Sequence, residues 1–161
     1  MSPHPTASRL VAALAVRGQT LATAESLTGG LVGAAITSVP GASAVYLGGV
    51  ISYATPMKTV LAGVSPDVLA AHGPVAGATA IAMAAGVRER TGADWALATT
   101  GVAGPDPQDG HAPGEVWLGV AGPDGLASSR HLHLSGGRDA IRAAAVAAAL
   151  EFLCNLADGV A

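Results

Sequence analysis

The chain has 161 residues, half of them hydrophobic and only 12% charged, against about 25% charged in ordinary soluble domains. It suits one domain spanning 1–161, able to bury a core of Ala, Val, Leu and Ile without disulfides or structural metals, since aromatic residues are only 3%. A surface so thinly charged is covered by Gly, Ser, Thr and Ala or partly hidden in a homodimer interface, while a net charge of −3 with no basic run excludes a phosphate-backbone footprint and so nucleic acid as a partner.

In chain order, residues 6–17 read as a helix, with Leu10, Val11, Leu14 and Ala15 sharing a face and Gly18 as the stop. The polar, proline-containing start before it predicts no secretory leader. Residues 20–24 form a short strand, and a second helix is expected over about 27–38, closed by Pro40 and Gly41. Residues 46–54, apolar with β-branched and aromatic members, predict a buried strand. Thr55-Pro56 then starts a helix, an N-cap hydroxyl followed by proline in the first turn, and Ser65-Pro66-Asp67 repeats the signal.

Residues 77–90 are helical and end at Gly92; residues 94–100 are a strand that runs into a Gly-, Pro- and Asp-rich loop, 101–114. Two further strands, 115–121 and 126–134, are joined by the hairpin turn Pro123-Asp124-Gly125. A last helix runs from 138 to about 157. Its most apolar run, 143–150, is far shorter than a bilayer span and is flanked by Arg142 and Glu151, so no membrane is expected. Its Cys154 is the one cysteine, which points to a reducing cytoplasm. The order α β α β α α α β β β α predicts a three-layer α/β/α sandwich whose hairpin makes the central sheet mixed.

Three segments are candidates for chemistry. In Thr23-Ala24-Glu25-Ser26-Leu27-Thr28-Gly29-Gly30 a strand feeds a helix, and unpaired N–H groups at such a junction hold an oxyanion or phosphate. The same Ser26 also reads as a plain N-cap. In Ser52-Tyr53-Ala54-Thr55-Pro56-Met57-Lys58, the lysine is the only one in a chain with seven arginines. Lysine, unlike arginine, can be driven neutral by burial. The helix dipole disfavours it by only ~0.3–1 kcal/mol, and a solvated surface lysine is the competing reading. Third, Thr99-Thr100-Gly101-Val102-Ala103-Gly104-Pro105-Asp106 leaves the end of a strand, where α/β ligands sit, though a structural turn explains the same glycines.

Weaker candidates have plain readings beside functional ones. His131 and His133 share one face of a strand but no third metal ligand lies nearby, so exposed strand residues are expected and no metal site. Asp106 and Asp109 are cation ligands or ordinary loop residues. Glu25 is catalytic or serves the helix N-terminus. Arg138 and Arg142 reach a phosphate or form a solvated face.

TAESLTGG at 23–30, GGVISYATPMK at 48–58, TGVAGPD at 100–106, PGEVWLGV at 113–120 and GGRDAIR at 136–142 follow one another in order. Together they resemble the CinA C-terminal domain family, the nicotinamide-mononucleotide amidases, over about residues 10–153. The resemblance implies a three-layer α/β/α fold, usually dimeric. It also implies deamidation of nicotinamide mononucleotide to nicotinate mononucleotide and ammonia, without metal or cofactor. Ser26 would be the nucleophile, with Lys58 and Tyr53 assisting. Glu25, Leu27, Thr28, Gly29, Gly30, Thr100, Gly101, Ala103, Gly104 and Arg138 would line the small-molecule nucleotide site. Larger members carry a pyrophosphatase domain ahead of this one, and that activity is not carried over.

Three segments depart from the family pattern. Thr55, Pro56 and Met57 stand where an Asn, an acidic and a small residue are usual. Ala76 and Gly77 replace a serine with an acidic residue, and the loop from Pro105 to Gly110 reads PDPQDG where glycines are usual. The reading from another class is a catalytically inactive nucleotide-binding or interaction protein of the same fold.

Overall fold

The computed structural model describes residues 2–159. Its elements are α1 (Pro5–Arg17), β1 (Leu21–Glu25), α2 (Leu31–Thr37), β2 (Tyr46–Ile51), α3 (Thr55–Val60), α4 (Pro66–His72), α5 (Gly77–Thr91), β3 (Trp95–Gly101), β4 (Glu115–Ala121), β5 (Ala127–His133) and α6 (Arg138–Ala157). The five strands form one sheet in the order β2-β1-β3-β4-β5. β1 pairs in parallel with β2 and β3, while β4 runs antiparallel to both β3 and β5. The fold is the mixed α/β/α sandwich that the element order predicts.

Strand alternation sorts side chains to the two faces by size. Leu21, Trp95, Leu97, Val116, Leu118 and Val120 pack with α1, α2 and α6. Ala22, Ala24, Ala96 and Ala98 face the other way, under α5 and its Met83, Ala84 and Val87. The alanine face lets α5 lie close: a Cβ on Gly119 would come within 2.2 Å of the Ala80 carbonyl oxygen. By length and composition alone α6 is apolar enough to cross a bilayer, a longer apolar stretch than 143–150 suggests. Its Ile141, Ala145, Ala149, Leu150 and Leu153 are instead buried in the core.

Three expected features differ. α2 begins at Leu31, because residues 26–30 form a turn in which Gly29 and Gly30 take left-handed φ of 57° and 102°. Ser26 is therefore no helix N-cap; Gly30 holds that position. β2 ends at Ile51 and is an edge strand, with Leu47 and Ile51 each 51% exposed, not a buried one. A run of apolar residues does not reveal that one edge of its strand stays unpaired. Third, Ala54 and not Thr55 stands at the N-cap of α3, with Thr55 and Pro56 in its first turn and no hydroxyl capping it, while Ser65 caps α4 as expected by accepting the Asp67 N–H at 3.2 Å.

Candidate active site

β1, β2 and β3 run in parallel and end level with one another, Glu25 opposite both Ile51 and Thr99. Their C-terminal ends deliver Ser26, Ser52-Tyr53 and Thr100-Gly101 to one edge of the sheet, where open α/β sheets bind ligands. The Ser26 N–H is fixed on the Thr99 carbonyl (3.0 Å), which ties the turn to β3. α3 follows β2 after a short link and folds its Lys58 back over this edge.

Lys58 is 2% exposed, and its Nζ donates to Ser26 Oγ at 3.0 Å, to the Ser52 carbonyl at 3.1 Å and to the Tyr53 carbonyl at 3.4 Å. Burial pushes its amine from an ordinary 10.5 down to about 8, with the Asp109 carboxylate pulling the other way. The acceptor set has a chemical consequence. A neutral amine keeps two N–H bonds, which the two carbonyls occupy, and its lone pair is then left for the Ser26 hydroxyl. No arginine could take this role, since a guanidinium keeps its proton.

The turn after Ser26 carries the second feature. The Gly29 N–H donates to the Ser26 carbonyl, and Gly30, Val32 and Gly33 donate to the Glu25 carboxylate at 3.2, 2.9 and 3.1 Å. Among the described residues, the Leu27 and Thr28 N–H groups find no acceptor. They directly follow the serine, where an oxyanion is customarily held.

A cleft of about 80 Å³, room for several waters, opens beside Ser26 and Lys58. Leu27, Thr100, Gly101, Ala103, Gly104 and Arg138 line it, as do Tyr53, Asp106, Gln108 and Asp109. Glu25, Thr28, Gly29 and Gly30 are not on its wall. Glu25 caps α2, and Thr28 Oγ1 is bonded to Thr99 Oγ1 at 2.8 Å. The Tyr53 hydroxyl is directed to Arg138 Nη2 at 3.3 Å, and only its backbone carbonyl reaches the dyad. Arg138 also donates to the Gly104 carbonyl at 2.6 Å, closing one rim.

Sequence reasoning placed the side chains of this site but not the backbone groups of Ser52 and Tyr53 that hold Lys58. It also left open Arg142, whose Nε reaches the Leu27 carbonyl at 2.9 Å. The loop's anchor went unnoticed: Glu115 accepts from His111 at 2.7 Å and His131 at 3.1 Å. Burial pushes the Glu115 carboxyl up, but the two imidazoles hold it below its ordinary value. His131 stacks on Trp117 and is exposed, as expected of it. Among the described residues, no three of His, Cys, Asp and Glu are placed to hold a metal ion.

Fold and site define a three-layer α/β protein with a serine–lysine pair at the carboxyl ends of its parallel strands. The chain matches the CinA C-terminal domain over residues 4–157 and belongs to that family. It is 50% identical over 147 residues to a CinA-like protein of Frankia casuarinae, covering 91% of this chain and 34% of that protein, so it spans about a third of the curated relative. Among solved structures, the competence/damage inducible protein CihA of Agrobacterium tumefaciens superposes with a TM-score of 0.91 at 35% identity, covering 97% and 99% of the two chains. A competence-damaged protein (CinA) superfamily member from Klebsiella pneumoniae gives 0.93 at 32% identity, covering 99% of each.

Proposed function

We propose that this chain is an amidohydrolase that deamidates nicotinamide mononucleotide to nicotinate mononucleotide and ammonia, with Ser26 as nucleophile and Lys58 as base. The observation that carries the reading is the 3.0 Å contact between Ser26 Oγ and a fully buried lysine amine whose other two contacts are both carbonyls. Ser26 Oγ bonds to the amide carbon as its proton passes to Lys58, and the Leu27 and Thr28 N–H groups receive the oxyanion. The tetrahedral adduct collapses by breaking the C–N bond, and Lys58 returns its proton to the departing nitrogen as ammonia. Water then adds to the acyl ester, giving a proton to Lys58, which restores it to Ser26 Oγ on release of the carboxylate.

Proton transfer in this reading is direct, since Lys58 Nζ stands 3.0 Å from Ser26 Oγ with no group between them, while the Tyr53 hydroxyl accepts from Arg138. Among the described residues, Arg138 is the one arginine on the wall of the cleft, which suits it to the substrate's phosphate. In this reading the protein works as a cytoplasmic homodimer. Support comes from the apolar residues Leu47 and Ile51 on the unpaired edge of β2, and from a buried Cys154 with no disulfide. The decisive measurement is ammonia release from nicotinamide mononucleotide by wild type, Ser26→Ala and Lys58→Arg. Activity in the wild type alone is expected; equal activity in either variant overturns the dyad, and tight nucleotide binding without turnover favours the inactive binding protein.

A further inference from the structure

Arg142, on the second turn of α6, faces no carboxylate among the described ion pairs. Its guanidinium is spent on backbone: Nε donates to the Leu27 carbonyl at 2.9 Å and Nη2 to the Thr28 carbonyl at 3.4 Å. Gly29 makes room for it. A Cβ there would sit 3.2 Å from Nη2, and the φ of 57° already disfavours any other residue.

The peptide plane turns this contact into an aiming device. In a trans peptide the C=O of one residue and the N–H of the next point in opposite directions. Holding the Leu27 carbonyl towards α6 therefore directs the Thr28 N–H to the opposite side of the turn. Holding the Thr28 carbonyl likewise fixes the Gly29 N–H, which closes the turn on the Ser26 carbonyl. What remains without acceptors, among the described residues, is the N–H pair of Leu27 and Thr28, in residues that are themselves buried. Buried backbone donors are paired with protein, water or ligand almost without exception, so an adjacent couple without a protein acceptor beside a serine is free to donate to a group bound there. A guanidinium on the carbonyl side also polarises the peptide and strengthens its N–H as a donor.

We infer that Arg142 is a positioning residue: it holds the Leu27–Thr28 peptide so that the Thr28 N–H, beside that of Leu27, receives the oxyanion formed on attack by Ser26. The inference rests on the serine-nucleophile reading, and its test is independent of the natural substrate. A fluorophosphonate probe reacts with an activated serine: the Oγ–P bond forms, the P–F bond breaks, the proton goes to the base and fluoride leaves. The phosphoryl oxygen meanwhile occupies the oxyanion position. Phosphonylation of Ser26 is timed by mass spectrometry in wild type, Lys58→Arg, Arg142→Met and Arg142→Lys, with thermal unfolding measured in parallel.

Labelling by Arg142→Met slower by about tenfold or more is expected, as for a weakened oxyanion donor, with the pH midpoint of labelling unmoved. Arg142→Lys, whose ammonium can still reach a carbonyl, recovers part of the rate. Should Arg142→Met fail to fold, Arg142→Lys carries the test, with a reduced rate at an unchanged Tm. Wild-type labelling in either folded Arg142 variant overturns the inference and leaves the dyad standing. No labelling of wild-type Ser26 overturns both, and a rate that falls only in step with Tm reduces Arg142 to a staple between α6 and the turn.

Discussion

Glu25 and Lys58 are both charged and both 2% exposed, one next to Ser26 in the chain and the other 3.0 Å from its hydroxyl, yet their surroundings give them opposite roles. Three backbone N–H groups of Gly30, Val32 and Gly33 converge on the Glu25 carboxylate, none of which can exchange a proton during a reaction. The anion completes the start of α2, where orphan donors and the helix dipole favour it. Two carbonyls and a hydroxyl surround Lys58, and that hydroxyl is able to give up a proton. Burial of a charge therefore does not mark chemistry; the partners it is buried with do.

Breaking each member of the pair should separate activity from stability. The largest effect is on turnover. Ser26→Ala and Lys58→Arg each lower kcat for ammonia release by ~10³-fold or more, as losing a nucleophile or its base does elsewhere. Circular dichroism of both variants should remain native. Glu25→Ala reverses the pattern, because it leaves three N–H groups at the partly buried start of α2 without their acceptor. A loss of about 3 kcal/mol is expected, read as a lower urea midpoint, with activity falling only as the fold is lost.

Lys58→Met sharpens the contrast, since it removes a buried charge that the fold holds at a disadvantage. The unfolded lysine keeps its proton up to about 10.5, the folded one only to about 8. Between those values the unfolded state binds more protons, so wild-type stability rises with pH by up to about 3 kcal/mol. Below pH 8 both states are protonated and the penalty is complete. Lys58→Met should therefore be the more stable protein at pH 7 and lose that lead by pH 10.5, as measured by urea unfolding at both pH values.

The same titration predicts activity. With neutral Lys58 as the proposed base, kcat/KM should climb with pH through a midpoint near 8 and level off above it. A flat profile from pH 6 to 9 would exclude Lys58 as the titrating group. Asp109→Asn gives the smallest effect: removing the carboxylate that favours the ammonium shifts that midpoint to lower pH.

Local pattern carried the element order, because helix caps, proline starts and apolar periodicity are properties of neighbouring residues. The helix from Arg138 to Ala157 and the Pro123-Asp124-Gly125 turn were legible for this reason. The start of α2 was not, since it depends on where a glutamate side chain five to eight residues back finds its donors. The edge position of β2 was equally hidden, because strand order is a long-range property. At the site, sequence could name Tyr53 as a side chain but not foresee that its carbonyl, not its hydroxyl, would face the amine.

By itself, then, the sequence determined that a serine stands where a strand meets a glycine turn, and that the chain's one lysine follows the next strand. Each was ambiguous there, an N-cap or a surface cation. The parallel pairing of β1 with β2 decided the matter, since it sets Glu25 opposite Ile51 and so puts residues 32 apart in sequence within 3.0 Å. Only packing could also bury Lys58 among carbonyls, and it is desolvation, a property of the surroundings and not of the residue, that lowers its amine to about 8.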